Sequence, residues 1–236
     1  MAAGASLSPV TTSFRSTSGT VASEISRLAL PPALVSAALA PVFFIGGTVA
    51  AGLAWPSYNP ISQTISELAA GDAPTRIFMT VMFMLTAVCH GVTGVFARGI
   101  GIPGRIALVL AACSTFAVAI FPLPTVAGTS VQHRVSAMVG FVLLAIWPVL
   151  GMRLRREFPW IIRPWGAILG TALLATACFY FLAVWSSPQT GTVGLVERIA
   201  ANAESLWPAL VVGLFALTDR RRARDAAALS AAPTSL

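Results

Sequence analysis

The residues able to do chemistry in this sequence are few, and they gather in three short stretches. The first reads Tyr58-Asn59-Pro60-Ile61-Ser62-Gln63-Thr64-Ile65-Ser66-Glu67-Leu68, the second is His133-Arg134, and the third is Glu197-Arg198 followed by Asn202 and Glu204. Glu67, His133, Glu197 and Glu204 are the candidate catalytic groups, because carboxylates and an imidazole withdrawn from water suit general acid–base work. Tyr58, Asn59, Ser62, Ser66, Arg134, Arg198 and Asn202 are the candidate substrate-binding groups. Their hydroxyls and amides can orient a polar head, and a guanidinium can hold an anionic one.

Each of these residues also has a plainer reading. Glu197 with Arg198 can be an ordinary interfacial ion pair, Glu204 a structural hydrogen bond between helices, and His133 a helix cap. His90 stands alone in an apolar run and reads as a packed core histidine. No metal-ligand spacing surrounds either histidine, and the chain has no nucleophile elbow, P-loop or dinucleotide fingerprint. No metal or cofactor is expected.

What must position these residues is a set of apolar helices. Hydrophobic residues make up 56% of the 236-residue chain and charged ones only 10%, against roughly a quarter in soluble domains. Six apolar runs, at about 29–54, 76–98, 105–126, 135–152, 165–186 and 198–218, each approach the roughly 20 residues that cross a bilayer. Backbone groups find no water in hydrocarbon, so these runs must be helices and the fold class is all-α, a six-helix bundle. The domain organisation follows: a disordered tail over 1–27, the bundle over 28–219, and a basic then disordered tail over 220–236.

All 15 basic residues are arginine, and the net charge is +7. They cluster beside the apolar runs, at Arg98 and Arg105, at Arg153, Arg155, Arg156 and Arg163, and at Arg220, Arg221, Arg222 and Arg224. That distribution places both termini and the even loops in the cytoplasm, and it excludes a nucleic-acid partner, which needs a basic face interleaved with exposed aromatics. Trp55, Trp160, Trp165 and Trp185 fall at the expected interfaces, and Trp147-Pro148 and Trp207-Pro208 predict kinks within the fourth and sixth helices. Cys89, Cys113 and Cys178 lie in separate runs and read as buried free thiols.

The chemical residues then collect on the extracytoplasmic side. Asn59 as N-cap, Pro60 at the first helical position and Gly71 as C-cap predict a short amphipathic helix in the first loop. Its polar arc would carry Asn59, Ser62, Gln63, Ser66 and Glu67, with Ile61, Ile65 and Leu68 turned to the lipid. Glu204 lies two helical turns beyond Glu197, roughly 10 Å deeper at 1.5 Å per residue. A carboxylate at that depth is a functional-site candidate. The site should lie in the outer half of the bundle, lined by the second, fourth and sixth helices and roofed by the first loop.

The first-loop motif, Phe121-Pro122 ending the third helix, His133 opening the fourth and Gly194-Leu195-Val196-Glu197-Arg198 opening the sixth together carry a resemblance. Their order and spacing resemble the bacterial integral-membrane family catalogued as domain of unknown function 998, over about residues 30–218. The resemblance implies a six-helix membrane fold and groups Ser66, Glu67, His133, Glu197 and Arg198. It implies no activity.

Three functions compete at this stage. One is a cell-membrane enzyme acting on a lipid-like or isoprenoid substrate. A second is a small-solute or proton-coupled transporter, for which six helices would need a homodimer. A third is an accessory subunit whose polar cluster is an interface.

Overall fold

The computed structural model describes residues 27–187 and 191–231. Apart from its last residue, the expected N-terminal tail therefore lies outside the described residues. Six helices are long and apolar enough to cross a membrane: α1 Pro31–Ala54, α2 Arg76–Phe96, α3 Ile102–Ile120, α4 Val131–Leu150, α5 Pro164–Trp185 and α6, Val193–Ala231. No strand occurs among the described residues. The chain is an all-α, multi-pass membrane protein whose environment is the lipid bilayer.

Local chemistry sets the helix boundaries. Pro31, Pro103 and Pro164 stand in the first turns of α1, α3 and α5, where the missing N–H costs nothing and φ is already set. Ser130 caps α4, its hydroxyl accepting from the His133 N–H at 3.2 Å. α3 stops at Ile120, short of the expected end near 126, because Pro122 and Pro124 follow and cannot continue a helix. α1 contains a π-helical turn, Val42–Gly46, directly after Pro41. The sixth helix departs most from expectation. It begins at Val193 and runs to Ala231, and its 39 residues span roughly 58 Å against about 30 Å of hydrocarbon. No helix boundary falls at 219–220.

The helices form a ring in which each packs against the next and α6 returns to α1. Both ends of the ring are tied by polar contacts. At the even-loop end, Arg153 donates to the carbonyls of Arg98, Gly99 and Ile100, and Asp219 accepts from the Leu28 N–H. At the odd-loop end, the Gly71 N–H donates to Leu123 O and Asp72 accepts from the Val126 N–H, which joins the first loop to the third. α3 and α4 approach closely at Gly104, where a Cβ would stand 2.4 Å from the Gly151 Cα. Of the cysteines, Cys89 is buried, Cys178 is half-buried and Cys113 is exposed on an apolar helix face; all three are free.

The first loop does not form the amphipathic helix that its pattern predicts. It folds as successive turns ending in one 3-10 turn, Ser66–Ala69. Asn59 closes a local turn by accepting from the Ile61 N–H at 2.9 Å, and Gly71 caps no helix but pairs with the third loop. Ile61 is 50% exposed, whereas Ile65 and Leu68 are buried in the protein and not turned to lipid. Tertiary contacts from α6 win over helix propensity here.

Candidate functional site

The first loop is held against the start of α6 by two adjacent residues. The Arg198 guanidinium donates to the carbonyls of Pro60, Gln63 and Gly194, each at 2.9 Å, and to the Tyr58 hydroxyl. It also lies 5.3 Å from the Tyr58 ring centroid, a cation–π arrangement. The Tyr58 hydroxyl in turn donates to Thr64 O at 2.8 Å. Burial pushes this phenol up to about 12, against the opposing pull of Arg198. Gly194 makes the approach feasible, since a Cβ there would meet the Gln63 carbonyl oxygen at 2.0 Å.

Glu197 is buried and accepts from the Ile65 N–H at 2.5 Å. Glu67 organises its own turn: it accepts from the Thr64 N–H at 2.9 Å, the Thr64 hydroxyl at 3.0 Å and the Gln63 amide at 2.9 Å. These contacts fix Ser66 between Ile65, whose N–H is held by Glu197, and Glu67, and Ser66 faces α4.

There Ser66 meets His133. The imidazole Nε2 is 2.9 Å from Ser66 Oγ, and Nδ1 is 2.9 Å from the Phe121 carbonyl oxygen. A carbonyl can only accept, so in the neutral imidazole Nδ1 carries the proton and Nε2 accepts from the Ser66 hydroxyl. This is a hydroxyl–base–orienter arrangement, with a backbone carbonyl in the orienting role that a carboxylate often fills.

The pair stands at the head of a lateral groove of about 370 Å³ between α4 and α5. Thr64, Ser66, Glu67, His133, Arg134 and Glu197 form its polar end. Below them its walls are apolar, including Met138, Val142, Phe179 and Leu182, which are exposed on the membrane-facing surface. The groove therefore opens sideways. Arg134 is exposed on the rim, and its guanidinium has no hydrogen-bond partner among the described residues.

Most of the residues expected to act together are brought together. Glu67, Ser66, His133, Arg134 and Glu197 line one groove, with Tyr58 and Arg198 tying the loop behind them. Asn59 and Ser62 are exposed on the loop surface and do not line this groove. Asn202 is half-buried, does not line the groove, and its side-chain oxygen has no partner among the described residues. Glu204 pairs with α5 and not with Arg198: its Oε1 accepts from the Cys178 thiol at 3.0 Å.

Sequence reasoning missed α5, which supplies one wall of the groove. α5 is apolar on every side, so no periodicity marks a special face. It also passed over His90, which lines a second cavity. Thr86, His90 and Thr93 recur at i, i+4 and i+7, a polar stripe that could have flagged it.

The fold and the site together define a six-helix membrane protein with a polar centre beneath one end. A sequence model of the family described as a protein of unknown function, DUF998, matches residues 38–230. The chain belongs to that family. No curated protein and no solved structure matches it.

Proposed function

We propose that this protein is a cell-membrane enzyme that takes an amphipathic, lipid-like molecule into the α4–α5 groove and acts on its polar head by acid–base chemistry. The observation that carries the reading is the Ser66–His133 pair at the polar head of an apolar groove that is open to lipid. The hydrocarbon tail lies along Met138, Val142 and Leu182, and an anionic head meets Arg134, the rim cation whose guanidinium has no partner among the described residues. His133 takes the proton from the Ser66 hydroxyl, or from a hydroxyl of the bound head, and Phe121 O keeps the ring oriented. Glu197 and Glu67 shape the loop that presents Ser66.

Orientation rests on arginine placement. The even-loop end carries Arg98, Arg155, Arg156, Arg163, Arg220 and Arg221, which puts that end in the cytoplasm and the groove's head at the extracytoplasmic surface. Arg198 serves as a clamp for the loop and is not the headgroup ligand, because its donors already go to three carbonyls and a phenol.

The test is native mass spectrometry and lipid analysis of the protein in nanodiscs. A specific amphipath should co-purify with the wild type, vanish in Ala175→Trp, which fills the groove wall, and accumulate unprocessed in His133→Ala. Absence of any enriched lipid, with small solutes moved across proteoliposomes instead, would overturn the enzyme reading in favour of transport.

A further inference from the structure

The second cavity, of about 90 Å³, lies among α1, α2, α3, α4 and α6 beneath the first loop. It is separate from the lateral groove but shares a wall with it, made of Ser66, Ala137, Phe141 and Glu197. Much of the remaining lining falls at helical spacing: Phe83, Thr86 and His90 on α2, Gly140 and Leu144 on α4, and Ala201, Glu204 and Ser205 on α6. Each of these three helices therefore turns a stripe towards the cavity.

The side chains of Glu204 and Thr86 on these stripes have protein partners, but those of His90 and Ser205 have none among the described residues. His90 is 2% exposed and Ser205 is 3% exposed. Both ring nitrogens of His90 and the Ser205 hydroxyl have no hydrogen-bond partner among the described residues. Thr86 and Thr115 donate to their own helix carbonyls at Met82 and Ala111, which leaves their oxygens able to accept. Unpaired polar groups inside a membrane bundle are costly, so a cavity lined by several of them is suited to a polar occupant. The space accommodates about three molecules at roughly 30 Å³ each, the liquid share of one water. Water both donates and accepts, as His90 and Ser205 together require.

We propose that the second cavity is a water-binding site, held by His90 and Ser205, that serves the lateral groove through their shared wall. Water enters the chemistry from the ring side, past Phe141 and Ala137, and meets Ser66 and Glu197 from behind. The lipid-like head meets the same two residues from the groove. The site's existence stands on the cavity alone; its use as a supply to the groove rests on the groove reading.

The chain has only two histidines, His90 and His133, so a histidine-selective ¹⁵N NMR spectrum of the full-length protein in nanodiscs resolves them directly. The spectrum of His133→Gln assigns the His90 signals. A hydrogen-bonded His90 ring nitrogen with a magnetisation-transfer cross-peak to water is the expected result. The cross-peak should fall to baseline in Gly140→Leu, whose new side chain has room to grow, the nearest atom to its Cβ being Ser114 Cβ at 3.6 Å. Ser205→Val, a second variant, should shift the same His90 signals. Lipid analysis of Gly140→Leu separates the two proposals, because the amphipath should stay bound while the water signal is lost. A wild-type His90 with free-imidazole shifts and no water cross-peak overturns the water site, whatever the groove holds.

Discussion

Two arginines of similar sequence context, Arg134 and Arg198, take opposite roles once their donors are followed. Arg198 is consumed by Pro60, Gln63, Gly194 and Tyr58, whereas the Arg134 guanidinium at the groove rim has no partner among the described residues. Arg198→Lys should therefore lower the unfolding temperature, since a point ammonium cannot serve this fork of acceptors. Arg134→Gln should leave thermal stability within about 0.5 kcal/mol and weaken retention of an anionic lipid. Ser66→Ala should leave His133 Nε2 unpaired, costing about 1–3 kcal/mol in thermal unfolding. In the proposed reaction, loss of turnover in this variant would assign Ser66 as the proton donor to His133, and retained turnover would assign a hydroxyl of the bound head. Tyr58 adds a pH signature. Its folded value of about 12 lies above the ordinary phenol value of about 10, so its contribution is fully present below pH 10 and is lost as pH rises towards 12. Tyr58→Phe should flatten that alkaline fall, as read by chemical denaturation across pH 9–12. Most of these residues were legible because charged and hydroxyl groups in so apolar a chain need a reason to be there. Which arginine was spoken for was not legible, because backbone carbonyls as acceptors leave no mark in a sequence.

Among the elements, the first loop shows where pattern reading stops. Its spacing of polar and apolar residues fits a helix, yet Glu67 folds back on Thr64 and Arg198 collects the Pro60 and Gln63 carbonyls that a helix would have used internally. The cap and turn residues Asn59 and Pro60 serve a turn as readily as a helix, so the sequence could not decide between them. The glycine that admits this loop offers a clean test. Gly194→Val places a side chain where the Gln63 carbonyl now stands 2.0 Å from a Cβ, so the loop must lift from α6. Limited proteolysis should then cut between residues 58 and 68 much faster than in the wild type, with the six helices intact by circular dichroism. Unchanged protection would show that the loop is held elsewhere.

At the scale of the whole molecule, the six spans were legible because hydrocarbon thickness dictates the length of an apolar run. Their ends shifted by several residues wherever prolines or caps intervened, as at Ile120 and Ser130. The long reach of α6 was hidden because its later residues are polar and arginine-rich, and a hydropathy reading stops where lipid stops. The ring order, and with it the second cavity, depends on which helix faces pair. Several helices carry little amphipathic signal, so that pairing could not be read. Orientation is testable directly. In a background without Cys89, Cys113 and Cys178, Ser62→Cys should react with an impermeant maleimide on intact cells, and Arg221→Cys only after permeabilisation. The reverse pattern would invert the protein and put the groove's head in the cytoplasm.

The sideways opening between α4 and α5 has a consequence for how this protein must be assayed. A molecule that reaches the site by lateral diffusion never passes through bulk water, so its activity is set by its surface density and not by its molar concentration. For the enzyme proposed above, rates should follow the mole fraction of amphipath in the bilayer. They should stay constant when a fixed lipid mixture is diluted with buffer, and fall when inert lipid is added at constant total amphipath.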